Sequence, residues 1–173
     1  MPSRNRIHRR SWTWPLVSIA FTALIVALFN PRDSFVTSAD REYVQRVVDG
    51  DTLLLGTGER VRLIGVDTPE TKHPNKPVEY FGKEAAAFTK RIAEGKRIRL
   101  EYDQANKHLN HADAYGRTLA YVFLENGTLL NAEIIRQGYG HAYTKYPFSR
   151  MEEFRGLERE AREQGRGLWR AKP

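Results

Sequence analysis

Four polar elements of this sequence have the types and spacing to do chemistry together. Asp51 follows an Asp49-Gly50 turn, and Asp67 and Glu70 fall in the string Val66-Asp67-Thr68-Pro69-Glu70. Arg62 stands five residues before Asp67, and Arg117 closes the string Asp113-Ala114-Tyr115-Gly116-Arg117. Neighbouring strands of one meander bring Asp51 and Asp67 to the same end of a sheet. Carboxylates crowded there repel one another unless a positive charge neutralises them. A hard cation with oxygen ligands meets that need. Calcium accepts carboxylates, carbonyls and waters in loose geometry, whereas zinc is disfavoured because no cysteine or paired histidine accompanies the acids. With two protein carboxylates such a site is weak, with a dissociation constant of ~10⁻⁴–10⁻³ M, which suits an extracellular module. Two arginines imply an anionic substrate. Taken singly, Asp51 and Asp67 are ordinary turn residues, Glu70 a solvated loop acid, and Arg62 and Arg117 surface charges. The combination carries the reading.

These residues need a scaffold, and the apolar pattern supplies one. Residues 42–48 and 51–55 are short apolar runs around Asp49-Gly50, a strong hairpin signal. A third strand is expected over 60–66, after the turn at Thr57-Gly58. Phe81, Ala85, Phe88 and Ile92 recur at helical spacing within 80–93, and Gly95 ends that helix. Residues 97–102 alternate as a strand, and 118–124 are apolar on both faces, as in a central strand. Further helices are expected from about Leu129 to Gln137 and from Ser149 to Gln164, the latter with a Ser149/Glu152 capping box. Three strands, a helix, two strands and two helices make an α+β domain that is mainly β. That order predicts a five-stranded Greek-key β-barrel of the OB type with three helices.

The chain has 173 residues, carries a net charge of +7 and contains no cysteine. Disulfides, thiolate metal sites and cysteine nucleophiles are therefore excluded. Residues 1–39 hold five arginines and one acid, so much of the net charge lies outside the domain, which is only mildly basic. Residues 1–10 read as a basic cytoplasmic region. Residues 11–30 are uncharged and read either as a transmembrane anchor or as a signal peptide. Trp12 and Trp14 favour an anchor, and Thr37-Ser38-Ala39 offers small residues for cleavage. Residues 31–39 read as a linker and 40–173 as the domain, which then lies outside the cytoplasm, membrane-anchored or secreted.

The strings Val48-Asp49-Gly50-Asp51-Thr52, Arg62 to Pro74 (RLIGVDTPETKHP) and Asp113-Ala114-Tyr115-Gly116-Arg117 resemble, in order, the signatures of the thermonuclease (staphylococcal-nuclease-like) family. The resemblance continues through Phe81-Gly82-Lys83-Glu84-Ala85, Leu119-Ala120-Tyr121 and Arg136-Gln137-Gly138 to Gly167-Leu168-Trp169 and covers essentially residues 42–170. It implies calcium-dependent hydrolysis of single- and double-stranded DNA and of RNA to 3′-phosphates. It implies that Asp51, Asp67 and the Thr68 carbonyl bind Ca²⁺, that Glu70 is the general base, and that Arg62 and Arg117 grip the phosphate. It further implies nucleotide contacts by Tyr115, Tyr143 and Lys76. A guanidinium suits the phosphate role because it matches two oxygens at once and keeps its proton.

The sequence departs from the family at Ala114, often Lys, and at Lys145, often Tyr, with Tyr146 one place later. The loop Asp103–Asp113 is long, and its His108 and His111 read as solvated rather than metal-binding. Two other readings stand beside the nuclease. OB-type barrels also bind nucleic acid without cutting it, and paired carboxylates also serve carbohydrate-active enzymes. All five side chains being present weighs against the first, and two arginines against the second. Nothing in the sequence calls for more than a monomer.

Overall fold

The computed structural model describes residues 35–37 (backbone), 41–71 and 77–170. The expected basic region, the membrane or signal segment 11–30 and Lys76 lie outside the described residues. Among the described residues no helix is long and apolar enough to cross a membrane.

The strands are β1 (Phe35–Thr37), β2 (Glu42–Asp49), β3 (Thr52–Leu55), β4 (Arg60–Leu63), β5 (Val66–Asp67), β6 (Arg97–Asp103), β7 (Thr118–Leu124) and β8 (His141–Ala142). The α-helices are α1 (Gly82–Ala93), α2 (Leu130–Arg136) and α3 (Met151–Glu163). Neighbouring strands run β6-β2-β3-β4-β7, and β7 pairs back with β6 to close a five-stranded barrel. All of these pairings are antiparallel except β4 with β7, where Val61 faces Thr118 and Leu63 faces Ala120. This is the expected OB-type closure with the three expected helices. Inside, Val44, Leu53, Leu55, Val61, Leu63, Ile98, Leu100, Ala120 and Val122 are buried in one core with Leu130, Ile134, Ile135 and Phe154. Alternation along each strand sends these side chains inward, and the helices cover what remains apolar.

Two expectations need correction. The strand expected over 60–66 is two strands. The chain turns at Ile64-Gly65, and Val66–Asp67 leaves the barrel to pair with β8. Gly65 permits the turn: its φ is +71°, and a Cβ there would lie 2.6 Å from the Phe148 ring. Ser149 does not cap α3. Its hydroxyl donates instead to Asp103, and Arg150 takes the cap position without a side-chain bond. The long 103–113 loop is exposed at Lys107–Asn110, His108 included, and is ordered at its start. Residues Gln104–Leu109 form a 3₁₀ helix whose first turn is capped by Asp103, and the His111 ring packs 5.2 Å from that of Tyr102. In addition, Phe35–Thr37, within the segment read as a linker, adds a strand along β6, with Val36 facing Tyr102.

Candidate active site

The β2–β3 hairpin carries the first acid. Asp49 pairs with Thr52, so Gly50 and Asp51 form the turn. Thr89 of α1 donates its hydroxyl to the Gly50 carbonyl at 2.7 Å, which ties the turn to the helix. Thr68 approaches so closely that a Cβ on Gly50 would lie 2.6 Å from its Oγ1. Glycine at this position is therefore a packing requirement. Asp51 is only 7% exposed. It accepts hydrogen bonds from the Thr52 hydroxyl (2.9 Å), the Thr68 amide (3.1 Å) and the Thr68 hydroxyl (3.2 Å).

β4 lies beside β3 with Arg62 opposite Thr52. The Arg62 guanidinium pairs through Nη1 with Asp51 and through Nη2 with Asp67 at 3.2 Å. One cation therefore bridges two carboxylates, one in the β2–β3 turn and one on β5. Asp67 reaches it because the Gly65 turn redirects β5. Burial pushes the Asp67 carboxyl above the usual range, the Arg62 charge opposes this, and the Asp51 charge adds to it.

Glu70 stands behind this cluster. Its amide donates to the Glu79 carboxylate at 3.1 Å, and its carbonyl accepts from the Glu79 amide at 3.0 Å. The backbone around it is thus fixed from outside. Its side chain meets that of Asp49, whose carboxyl is pushed up to about 6 by burial first and by the Glu70 hydrogen bond next. Thr71 and Gly50 also donate to Asp49, at 2.9 and 2.8 Å.

Arg117 is held separately. Its Nε donates to Asp113 at 2.7 Å and its Nη2 lies 2.6 Å from the same carboxylate. Asp113 also accepts from the Tyr115 and Arg117 amides, so the Asp-x-x-x-Arg turn aims its own arginine. These donors hold the Asp113 carboxyl below the usual range despite the opposing effect of burial. Arg117 immediately precedes Thr118, which faces Val61 beside Arg62, so Arg117 leads into the strand next to the one that carries Arg62. Tyr115 is 84% exposed, with the Arg117 guanidinium 5.3 Å above its ring. Tyr143 follows β8, and its amide donates to the Gly65 carbonyl at 2.9 Å, beside the strand of Asp67. The Tyr143 and Tyr146 rings lie 6.1 Å apart.

The sequence reading missed Asp49 as the partner of Glu70 and Asp113 as the holder of Arg117. The second is visible in hindsight from the four-residue spacing; the first joins residues far apart in sequence and has no such signal. Among the described residues no group of three or more His, Cys, Asp or Glu is gathered as a ready-made metal site. The donor set still fits calcium. Asp51 and Asp67 already share one positive charge, and a hard cation beside them would find the oxygen donors that calcium accepts in loose geometry.

The fold is a five-stranded closed barrel of OB type that holds Asp51, Arg62 and Asp67 as one charged cluster. Comparison with known proteins gives its family. The family described as staphylococcal nuclease homologue matches residues 60–171. The thermonuclease of Staphylococcus intermedius is 43% identical over 135 residues, covering 73% of this chain and 77% of its own. The thermonuclease of Staphylococcus hyicus is 40% identical over 130 residues, covering 73% of each. The SPbeta prophage-derived endonuclease YokF of Bacillus subtilis is 32% identical over 131 residues, which are 73% of this chain and 43% of that one. The chain belongs to the staphylococcal nuclease homologue family.

Proposed function

We propose that the protein is a calcium-dependent, sugar-nonspecific endonuclease that hydrolyses phosphodiester bonds of DNA and RNA to 3′-phosphate products. The observation that carries this reading is the Arg62 guanidinium bridging Asp51 and Asp67. It joins two acids that need a cation to an arginine suited to phosphate. Asp51, Asp67 and the Thr68 carbonyl would hold Ca²⁺, which supplies Lewis acidity beside the scissile phosphate.

Each remaining role falls to a side chain of this protein. Glu70 accepts a proton from the attacking water, with Asp49 beside it to orient the carboxylate. Arg62 and Arg117 neutralise the charge that grows on the equatorial oxygens as the phosphorus is attacked. Two guanidinium groups fixed in advance by Asp51, Asp67 and Asp113 need little reorganisation at that moment. Exposed Tyr115, together with Tyr143 and Lys76, would contact the nucleotide, and stacking there tolerates any base. The domain acts as a monomer outside the cytoplasm, tethered or released through residues 11–30; the sequence alone supports that part.

The test is cleavage of single- and double-stranded DNA by the purified protein, with calcium and then with EGTA, beside Arg117→Gly. Cleavage that needs calcium and falls by at least ~10²–10³ in Arg117→Gly is the expected result. DNA binding without cleavage at every calcium concentration would replace the nuclease with a binding module.

A further inference from the structure

We propose that Glu79 is a positioning residue for the reaction: its carboxylate holds the Glu70 backbone and so keeps the Glu70 side chain aimed at the attacking water. The proposal rests on the nuclease reading above, with Glu70 as the base.

Glu79 meets Glu70 twice. The Glu70 amide donates to Glu79 Oε2 at 3.1 Å, and the Glu79 amide donates to the Glu70 carbonyl at 3.0 Å. A carboxylate makes the stronger kind of acceptor for an amide. Glu79 is exposed, so water competes for its oxygens. The residue must therefore be held where the Glu70 amide needs it, and the residues that follow do this. Phe81 takes a left-handed backbone, φ +66°, which residues other than glycine rarely adopt. Its ring stacks on that of Tyr139 with centroids 5.4 Å apart, and Tyr139 stacks on Phe88 at 4.1 Å. Strain of this kind persists only where the surroundings impose it, and it gathers at sites organised in advance. The turn at Phe81 brings the Gly82 amide onto the Glu79 carbonyl at 3.1 Å. It also seats Gly82 against the backbone of the base. A Cβ there would lie 2.9 Å from Thr71 Cγ2, 3.0 Å from the Pro69 carbonyl oxygen and 3.2 Å from that of Glu70.

Glu70 is thus gripped by side chain and by backbone. Its carboxyl meets Asp49, and the neighbouring Thr71 donates to the same Asp49 at 2.9 Å. Its backbone is held by Glu79 and by the start of α1. A base that swings loses rate steeply, because a displacement of about 1 Å can cost ~10²-fold. The Glu79 charge also reaches Asp67, where it pushes the carboxyl up. Replacing Glu79 therefore removes both a charge and an acceptor. Gln and Ala separate the two: both abolish the charge, and only Gln keeps an acceptor oxygen.

The test is steady-state cleavage of single-stranded DNA under saturating calcium by the full chain and by E79A, E79Q, E70Q and E70Q/E79A. E79A is expected to lower kcat about tenfold with KM unchanged, the mark of an interaction that counts only in the transition state. E79Q should recover most of that loss while matching E79A in calcium requirement and melting temperature. In the E70Q background E79A should cost nothing further, because Glu79 acts through Glu70, whereas a merely structural loss would multiply. Hydrogen exchange at the Glu70 amide, followed by NMR, reads the same contact without turnover and should be faster in E79A than in E79Q. Wild-type kcat in E79A would overturn the proposal, as would E79Q as slow as E79A, losses that multiply in the double variant, or equal exchange in E79A and E79Q. With the wild type cutting and E70Q slow, each of these results leaves the nuclease reading standing. A wild-type chain that cuts nothing under calcium would remove that reading, and with it the reaction that Glu79 would serve.

Discussion

At the scale of single residues, the site is a set of acids whose charges are managed one by one. Asp51 is neutralised by Arg62 and three donors from Thr52 and Thr68. Asp49 is left with its carboxyl pushed up to about 6 beside Glu70. A base must be ionised to work, and a protonated Asp49 that donates to Glu70 weakens it. Cleavage is therefore expected to rise with pH through about 6 as the Asp49–Glu70 pair gives up its shared proton. In Asp49→Asn that acid limb should vanish from a pH profile of the rate, because Asn does not titrate. A limb that stays near 6 in the variant would assign the titration to another group. The motif strings singled out Asp51, Arg62, Asp67, Glu70 and Arg117 as candidates, and the fold brings Asp51, Arg62 and Asp67 into one charged cluster. Their holders were not legible in the sequence. The contact of Asp49 with Glu70 joins residues 21 positions apart, and no local pattern announces it.

At the scale of elements, the turn at Gly65 decides where Asp67 points. Read as a pattern, residues 60–66 are one strand, because Val61 and Leu63 alternate and Gly65 looks like a weak continuation. The backbone departs there because a φ of +71° is open to glycine and strained for other residues. Asn131 secures the departure: buried on α2, it donates to the Ile64 and Ala120 carbonyls and accepts from the Val122 amide. Gly65→Ala combines backbone strain with a clash against Phe148, and should cost ~2–4 kcal/mol in a urea unfolding curve. It should also lower activity by shifting β5. A variant as stable as wild type would show that the Phe148 ring moves aside. The capping box at Ser149 misled for a different reason. The Ser149 hydroxyl had a better partner in Asp103, a charged acceptor from another strand, and tertiary context overrode the local motif.

At the scale of the whole molecule, Asp103 ties distant parts together. It is fully buried and accepts from the Tyr121 hydroxyl at 2.7 Å, from the Ser149 amide and hydroxyl at 2.6 and 2.7 Å, and from the Ala105 amide at 2.9 Å. Burial opposes the charge, but these donors outweigh it and hold the carboxyl below its usual range. A depressed acid stabilises the fold fully above its unfolded-state value, near 3.8, and loses that contribution as pH falls through the folded value. Asp103→Asn should therefore cost ~2–4 kcal/mol at pH 7, and the gap from wild type should narrow at pH 3 and below. Urea titrations at the two pH values read this directly, and a gap that widens in acid would refute it. Calcium, bound as proposed, would act on the same balance. At ~10 mM metal and a dissociation constant of ~1 mM, binding should add ~1.4 kcal/mol and raise the melting temperature by about 3–6 °C. The rise should disappear in Asp67→Asn, and its survival there would move the metal elsewhere.

The barrel strands were legible because alternation is local. The Asp103 knot was not, because its partners come from positions 105, 121 and 149. That span has a consequence for how the protein is made. A ribosome that has reached Tyr146 has already translated every acid and arginine of the candidate site, yet not Phe148, Ser149 or Phe154, which fill and fasten the core. The nascent chain then carries every candidate residue but lacks the side chains that close the core around them, so the site is complete only once the last helix has left the ribosome and docked.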